Sequence, residues 1–282
     1  MRFSLIAPLV ALFSLVEVLA VLVQPAASAA VSPVGLDPAC AAELAARLTN
    51  GDDVRVLGCD PVGRGRAVVA LGDPSTAPNV VVLVPGADID LATLDDPVHP
   101  DKRPFGWARA LHASAEPGTA VVLWVGYPTP QGIGRDSATG RLARAAVPAL
   151  AEEVAALHDR AIGPPHLTVI GHSYGAVVVT LAAHELEADD LVLLASPGAR
   201  VDDVADLHTS ARVFAARGPD DWIRFVPHLE IGDLGHGADP VDPSFGAVRL
   251  PADDVVGHDG YFRAGTASLA AMAAVVSSGV RS

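Results

Sequence analysis

Charge and aromatic rings are both scarce in this chain. Asp, Glu, Lys and Arg make up 18% of its 282 residues, and Phe, Trp and Tyr only 5%. The first shortage, in a chain that is half apolar, excludes a disordered polyelectrolyte and predicts a sizeable core. The second, with Ala, Val and Leu abundant, suits helices packed closely on a valine-rich sheet. The little charge present sums to −14. A surface of that sign repels phosphate backbones and anionic lipid heads, so nucleic acid is not an expected partner. The sequence also lacks internal repeats, long Pro-, Gly- or Ser-rich linkers, and any Cys–His cluster with zinc spacing. Neither a metal nor an organic cofactor is expected.

Only two cysteines occur, Cys40 and Cys59. In an oxidising compartment such a pair forms one disulfide, and the loop it closes stabilises the fold by about 3 kcal/mol in the chain-entropy model. An oxidising compartment is what the first residues predict. Residues 1–29 read as a secretory signal: Arg2, an apolar stretch from Phe3 to Val23, then Pro25 and a small-residue site at Ala27, Ser28 and Ala29. The apolar stretch could nearly span a bilayer, but Glu17 near its centre opposes a stable anchor. The expectation is a secreted chain with no stable membrane span after cleavage, an uncleaved anchor being the alternative. Oligomeric state is not readable.

From there the chain alternates between valine-rich runs of strand length and helical patterns. "DDVRVLGCD", "RAVVALGD", "NVVVLVPG", "AVVLWVGY", "HLTVIGHS", "DLVLLASPG", "ARVFAARG" and "GAVRLP" read as strands. Several are apolar at every position, as in strands buried on both faces. Helical patterns precede, separate and follow them, the last being "YFRAGTASLAAMAAVVSSG". Strands in succession and then strict strand–helix alternation predict an α/β domain over residues 36–280. Its mostly parallel sheet would have about eight strands with helices on both faces. Reactive groups in such sheets collect in loops at the carboxyl ends of the strands.

One such loop stands out. Gly171, His172, Ser173, Tyr174 and Gly175 match G-x-S-x-G where a buried strand meets a buried helix, the context of a nucleophile elbow. Glycine at 171 and 175 spares the sharp turn from steric conflict, and the following helix aims backbone N–H groups at developing negative charge. A serine nucleophile needs a base, and the base an orienting carboxylate. Asp221, after the run "ARVFAARG", is the candidate acid, with Asp220 as fallback. His258, after the last strand and before the final helix, is the candidate base, with His236 as its rival. His172 is too close to Ser173 to serve and is expected to pack beside the elbow. The oxyanion hole would use the amides of Tyr174 and of Ala87, which follows the third strand.

These features together resemble an α/β-hydrolase from near Val54 to the C-terminus. More narrowly, "GHSYGAVVV", "ASPG" and the closing His–Tyr–Phe pattern are similar to an uncharacterised actinobacterial branch of that superfamily, a family of unknown function. The resemblance implies a Ser–Asp–His hydrolase and no particular substrate. The expected function is a secreted carboxylic-ester hydrolase working through an acyl-enzyme on a small-molecule or lipid-like ester. An acyltransferase with the same triad, a serine peptidase, and a binding protein with a relic triad remain open. Only about a dozen residues separate "LLASPG" from "ARVFAARG", so no large lid is expected there. Segments 87–106 and 127–140 are expected to rim the site.

Overall fold

The computed structural model describes residues 29–49 and 51–278; the signal-peptide reading of 1–29 lies almost wholly outside them. Eight strands form one sheet in the order β1-β2-β4-β3-β5-β6-β7-β10. They are β1 (Val54–Asp60), β2 (Arg66–Leu71), β3 (Asn79–Val84), β4 (Thr119–Val125), β5 (His166–His172), β6 (Asp190–Leu194), β7 (Arg212–Ala216) and β10 (Val248–Arg249). Only the β1–β2 and β2–β4 pairings are antiparallel; every pairing from β4 to β10 is parallel.

Helices α1 (Pro38–Leu48), α2 (Pro104–Ser114) and α5 (Ala267–Val276) cover one face of the sheet, and α3 (Arg141–Arg160) and α4 (Tyr174–Ala182) the other. Double coverage explains why β3 is apolar at almost every position. Val81 and Leu83 pack under the first group of helices, while Val80, Val82 and Val84 pack under the second. The chain moves outward in opposite directions from β3 and β5, which leaves a crevice at the carboxyl ends of these central strands. Helix α1 begins at a cap in which Asp37 accepts a hydrogen bond from the Cys40 amide at 2.8 Å, with Pro38 preset at the first helical position. A Cys40–Cys59 disulfide ties this helix to the edge strand β1.

Three departures from the expected pattern bear on the site. Strand–helix alternation stops after β6: residues 195–211 hold only a 3-10 turn, Ala205–Leu207, because Pro197, Gly198 and the Asp202–Asp203 pair leave no apolar period long enough for a helix. The segment between β7 and β10 contains a small hairpin, β8 (Glu230–Ile231) and β9 (Leu234–Gly235), too short to read from periodicity. The final helix starts at Ala267, with Thr266 as its cap, and not at Tyr261. Gly265 at φ +83° breaks the chain there, so Tyr261 and Phe262 form a separate buried 3-10 turn.

Candidate active site

Ser173 follows β5 at φ +56°, ψ −126°, a backbone region that costs on the order of 1–3 kcal/mol for a residue with a side chain. The turn is fixed on all sides. The Ser173 amide donates to the Leu194 carbonyl of β6 at 2.9 Å. A Cβ on Gly175 would lie 2.1 Å from the Val84 carbonyl oxygen, and one on Gly171 would lie 2.5 Å from Ala176 Cα, so only glycine lets the three segments meet. The loop after β3 passes close by: a Cβ added to Gly86 would stand 2.7 Å from that of Ser173. The next residue, Ala87, lines the same cavity as Ser173 and Tyr174, and Tyr174 opens α4, where backbone amides have no partner within the helix.

The late loops bring a second group to this cavity. His258 Nδ1 lies 2.8 Å from Asp221 Oδ1, and His258 lines the same cavity as Ser173. Asp221 is fully buried. Its Oδ1 also accepts from the Ile223 amide at 2.9 Å, and its Oδ2 accepts from the Tyr261 hydroxyl at 2.6 Å. Burial alone would raise this carboxyl. The hydrogen bond and charge of His258, then the Tyr261 and Ile223 donors, outweigh burial and hold it below the ordinary carboxylate range. An ionised carboxylate only accepts, so His258 Nδ1 carries the hydrogen and Nε2 presents its lone pair. Asp220 is exposed and bonds to no imidazole. His236 also lines the cavity but is committed elsewhere, its Nε2 2.8 Å from the Ser137 carbonyl. Among the described residues no cluster of His, Cys, Asp and Glu could hold a metal ion.

An α/β hydrolase family model matches residues 60–231. The chain belongs to this family. Its curated relatives include the uncharacterized proteins MT2140 and Rv2079 of two Mycobacterium tuberculosis strains, each 32% identical over 262 residues. The alignments cover 81% of this chain and 40% of the relatives, so the chain spans well under half of their length. Solved structures similar to it include XC6422 of Xanthomonas campestris, described as a serine hydrolase without lid, at 23% identity and a TM-score of 0.45, covering 83% of this chain and 95% of that one. A putative esterase from Staphylococcus aureus is similar at 12% identity and a TM-score of 0.49, covering 84% and 86%.

Three residues of this α/β hydrolase support the site in ways that spacing does not reveal. Tyr261 accepts from the Gly218 amide at 2.9 Å while donating to Asp221, so one hydroxyl locks the acid to the end of β7. Trp222, next to Asp221, packs its ring 4.8 Å from that of His258. His172 does pack beside the elbow, as expected, and it also donates from Nε2 to the His258 carbonyl at 2.8 Å, pinning the histidine loop to β5. Its ring sits 4.7 Å from Trp107 and 4.8 Å from the His258 ring.

Burial, reinforced by the nearby His258, lowers the pKa of His172 to about 3 from 6.5. Between those two values the unfolded chain binds a proton that the folded chain does not, so stability falls as pH falls through that window. The slope is at most about 1.4 kcal/mol per pH unit. Buried His236, also lowered, adds a term of the same sign. Asp221 contributes only lower down, losing its stabilisation as pH falls below 3.8. Urea denaturation at a series of pH values should therefore show stability declining well above the carboxylate range. His172→Gln should flatten that decline; an unchanged slope would locate its source elsewhere.

Proposed function

We propose that this chain is a serine hydrolase of carboxylic esters, with Ser173 as nucleophile, His258 as general base and acid, and Asp221 as the orienting carboxylate. The single observation that carries the reading is a buried carboxylate bonded to the Nδ1 side of an imidazole that shares a cavity with a backbone-strained serine between β5 and α4. Ser173 Oγ attacks the ester carbonyl as His258 Nε2 takes its proton. The developing oxyanion is met by the amides of Ala87 and Tyr174. The protonated His258 then gives its proton to the departing alkoxide, leaving an acyl-serine. Water, deprotonated by the same nitrogen, resolves that ester to acid and free enzyme. Neutralised by its ionised partner, the imidazolium between these steps is stabilised where it forms.

Covalent labelling tests this assignment. A fluorophosphonate probe should label the protein, and Ser173→Ala should abolish the label and leave only a trace of the turnover of p-nitrophenyl esters. Turnover near the parent's rate in that variant would mean a different nucleophile. Product analysis in the presence of an added alcohol separates hydrolysis from acyl transfer by the same acyl-enzyme. Export belongs to the same proposal, on the strength of the leader-like residues 1–29 and a disulfide suited to an oxidising compartment. No described helix is long and apolar enough to cross a membrane.

A further inference from the structure

The hairpin between β7 and β10 buries an acid and exposes its apolar pair. Asp233 in its turn is buried and meets both Arg144 and Arg200, while the more exposed Glu230 lies 2.7 Å from Arg200. The Arg200 side chain is only 2% exposed. Its apolar groups turn outward: Ile231 and Leu234, opposite each other across the two strands, are 63% and 58% exposed. A surface element ordinarily has the reverse arrangement. Burying a guanidinium is costly, and here it fixes a hairpin whose apolar pair faces solvent. A contiguous exposed apolar patch held in place at such expense marks a binding surface.

The patch belongs to the cavity that holds Ser173. Ile133, Leu229, Ile231 and Leu234, all largely exposed, line it. Hairpin and 132–138 loop form one wall, since Gly235 donates to the Ala138 carbonyl at 2.8 Å and Leu234 bridges Thr139. The cavity encloses about 610 Å³, within the roughly 300–1,000 Å³ of small-molecule sites. Its walls differ in chemistry. On the His258 side the cavity is lined by Trp107 and Trp222 together with Lys102, Arg103 and Asp259, Asp259 feeling both cations. His258 must reach the leaving oxygen, so the alcohol half of an ester belongs at that charged and aromatic wall. The acyl half is left the aliphatic one.

We propose that the β8–β9 hairpin and Ile133 form a platform for the aliphatic chain of a medium- to long-chain acyl ester. This inference rests on the ester-hydrolase reading for its chemistry, but chain binding is measurable without catalysis. On p-nitrophenyl esters, kcat/KM should rise at least about tenfold from acetate to decanoate, given up to about fourfold per fully buried methylene. Ile231→Ser combined with Leu234→Ser should remove most of that rise and affect acetate far less; both side chains are exposed, so the fold should survive. In parallel, the Ser173→Ala protein should bind dansyl-labelled undecanoic acid, and the same hairpin substitutions should abolish binding. Acetate turnover with no chain-length preference and no binding of the labelled acid overturns the platform and leaves the esterase. Hairpin-dependent binding without any ester turnover keeps the platform and removes the chemistry. Absence of both defeats the two together.

Discussion

Asp221→Ala should lower kcat by about four orders of magnitude, the loss seen when the acid of a serine triad is deleted. In the proposed site Asp221 would do three jobs at once: fix the imidazole tautomer, neutralise the imidazolium, and receive the Tyr261 hydroxyl and Ile223 amide. The substitution should therefore also destabilise the fold, because those buried donors lose their acceptor. Tyr261→Phe separates the jobs. It leaves the charge and the His258 bond in place but removes one donor to the carboxylate, which shifts the Asp221 pKa upward. The stability that Asp221 loses as pH falls below 3.8 should accordingly be smaller than in the parent protein. Unfolding measured over the same pH range distinguishes this shift from simple loss of structure. A Tyr261→Phe protein with the parent's pH profile would show that the hydroxyl does not tune the acid.

Much of this architecture is legible in the sequence because its signals are local. β3 and β5 announce themselves as runs apolar on both faces, and the elbow is legible because five consecutive residues carry its steric logic. That Asp221 and His258 come together is foreshadowed by chain order, each sitting in a loop after a late strand. Whatever depends on distant pairs is not legible. The bond from His172 to the His258 carbonyl spans 86 positions, and that from Tyr261 to Asp221 spans 40. Tyr261 is also disguised, since the run from Tyr261 to Gly279 reads as one helix until Gly265 is seen at positive φ. The apolar wall is hidden for another reason. Strands of two residues have no measurable period, and the burial of Asp233 has meaning only once Arg144 and Arg200 arrive from other elements. The β6–β7 connection carries no large lid, and segments 87–106 and 127–140 line the cavity as their length suggests; the hairpin that completes the wall follows β7.

Ser173→Ala and His258→Ala should each reduce kcat by about a millionfold, and the double variant should lose no more than either alone. In the proposed mechanism neither group has a function without the other. A serine hydroxyl that cannot pass on its proton is a poor nucleophile, and an imidazole with no hydroxyl to deprotonate has nothing to accept. Independent contributions would multiply to a far larger loss, so additivity of the two logarithms would show that they do not act together. The turnover left in every variant should be similar and above that in buffer, because the amides of Ala87 and Tyr174 and the cavity walls remain. Ser173→Ala should cost little stability and His258→Ala more, because buried Asp221 loses a donor. Ser173→Gly should raise stability: the residue sits at φ +56°, where glycine is unstrained, and its strain is relieved without losing a core contact. A melting temperature that rises while turnover vanishes is the signature of a backbone held under tension for chemistry.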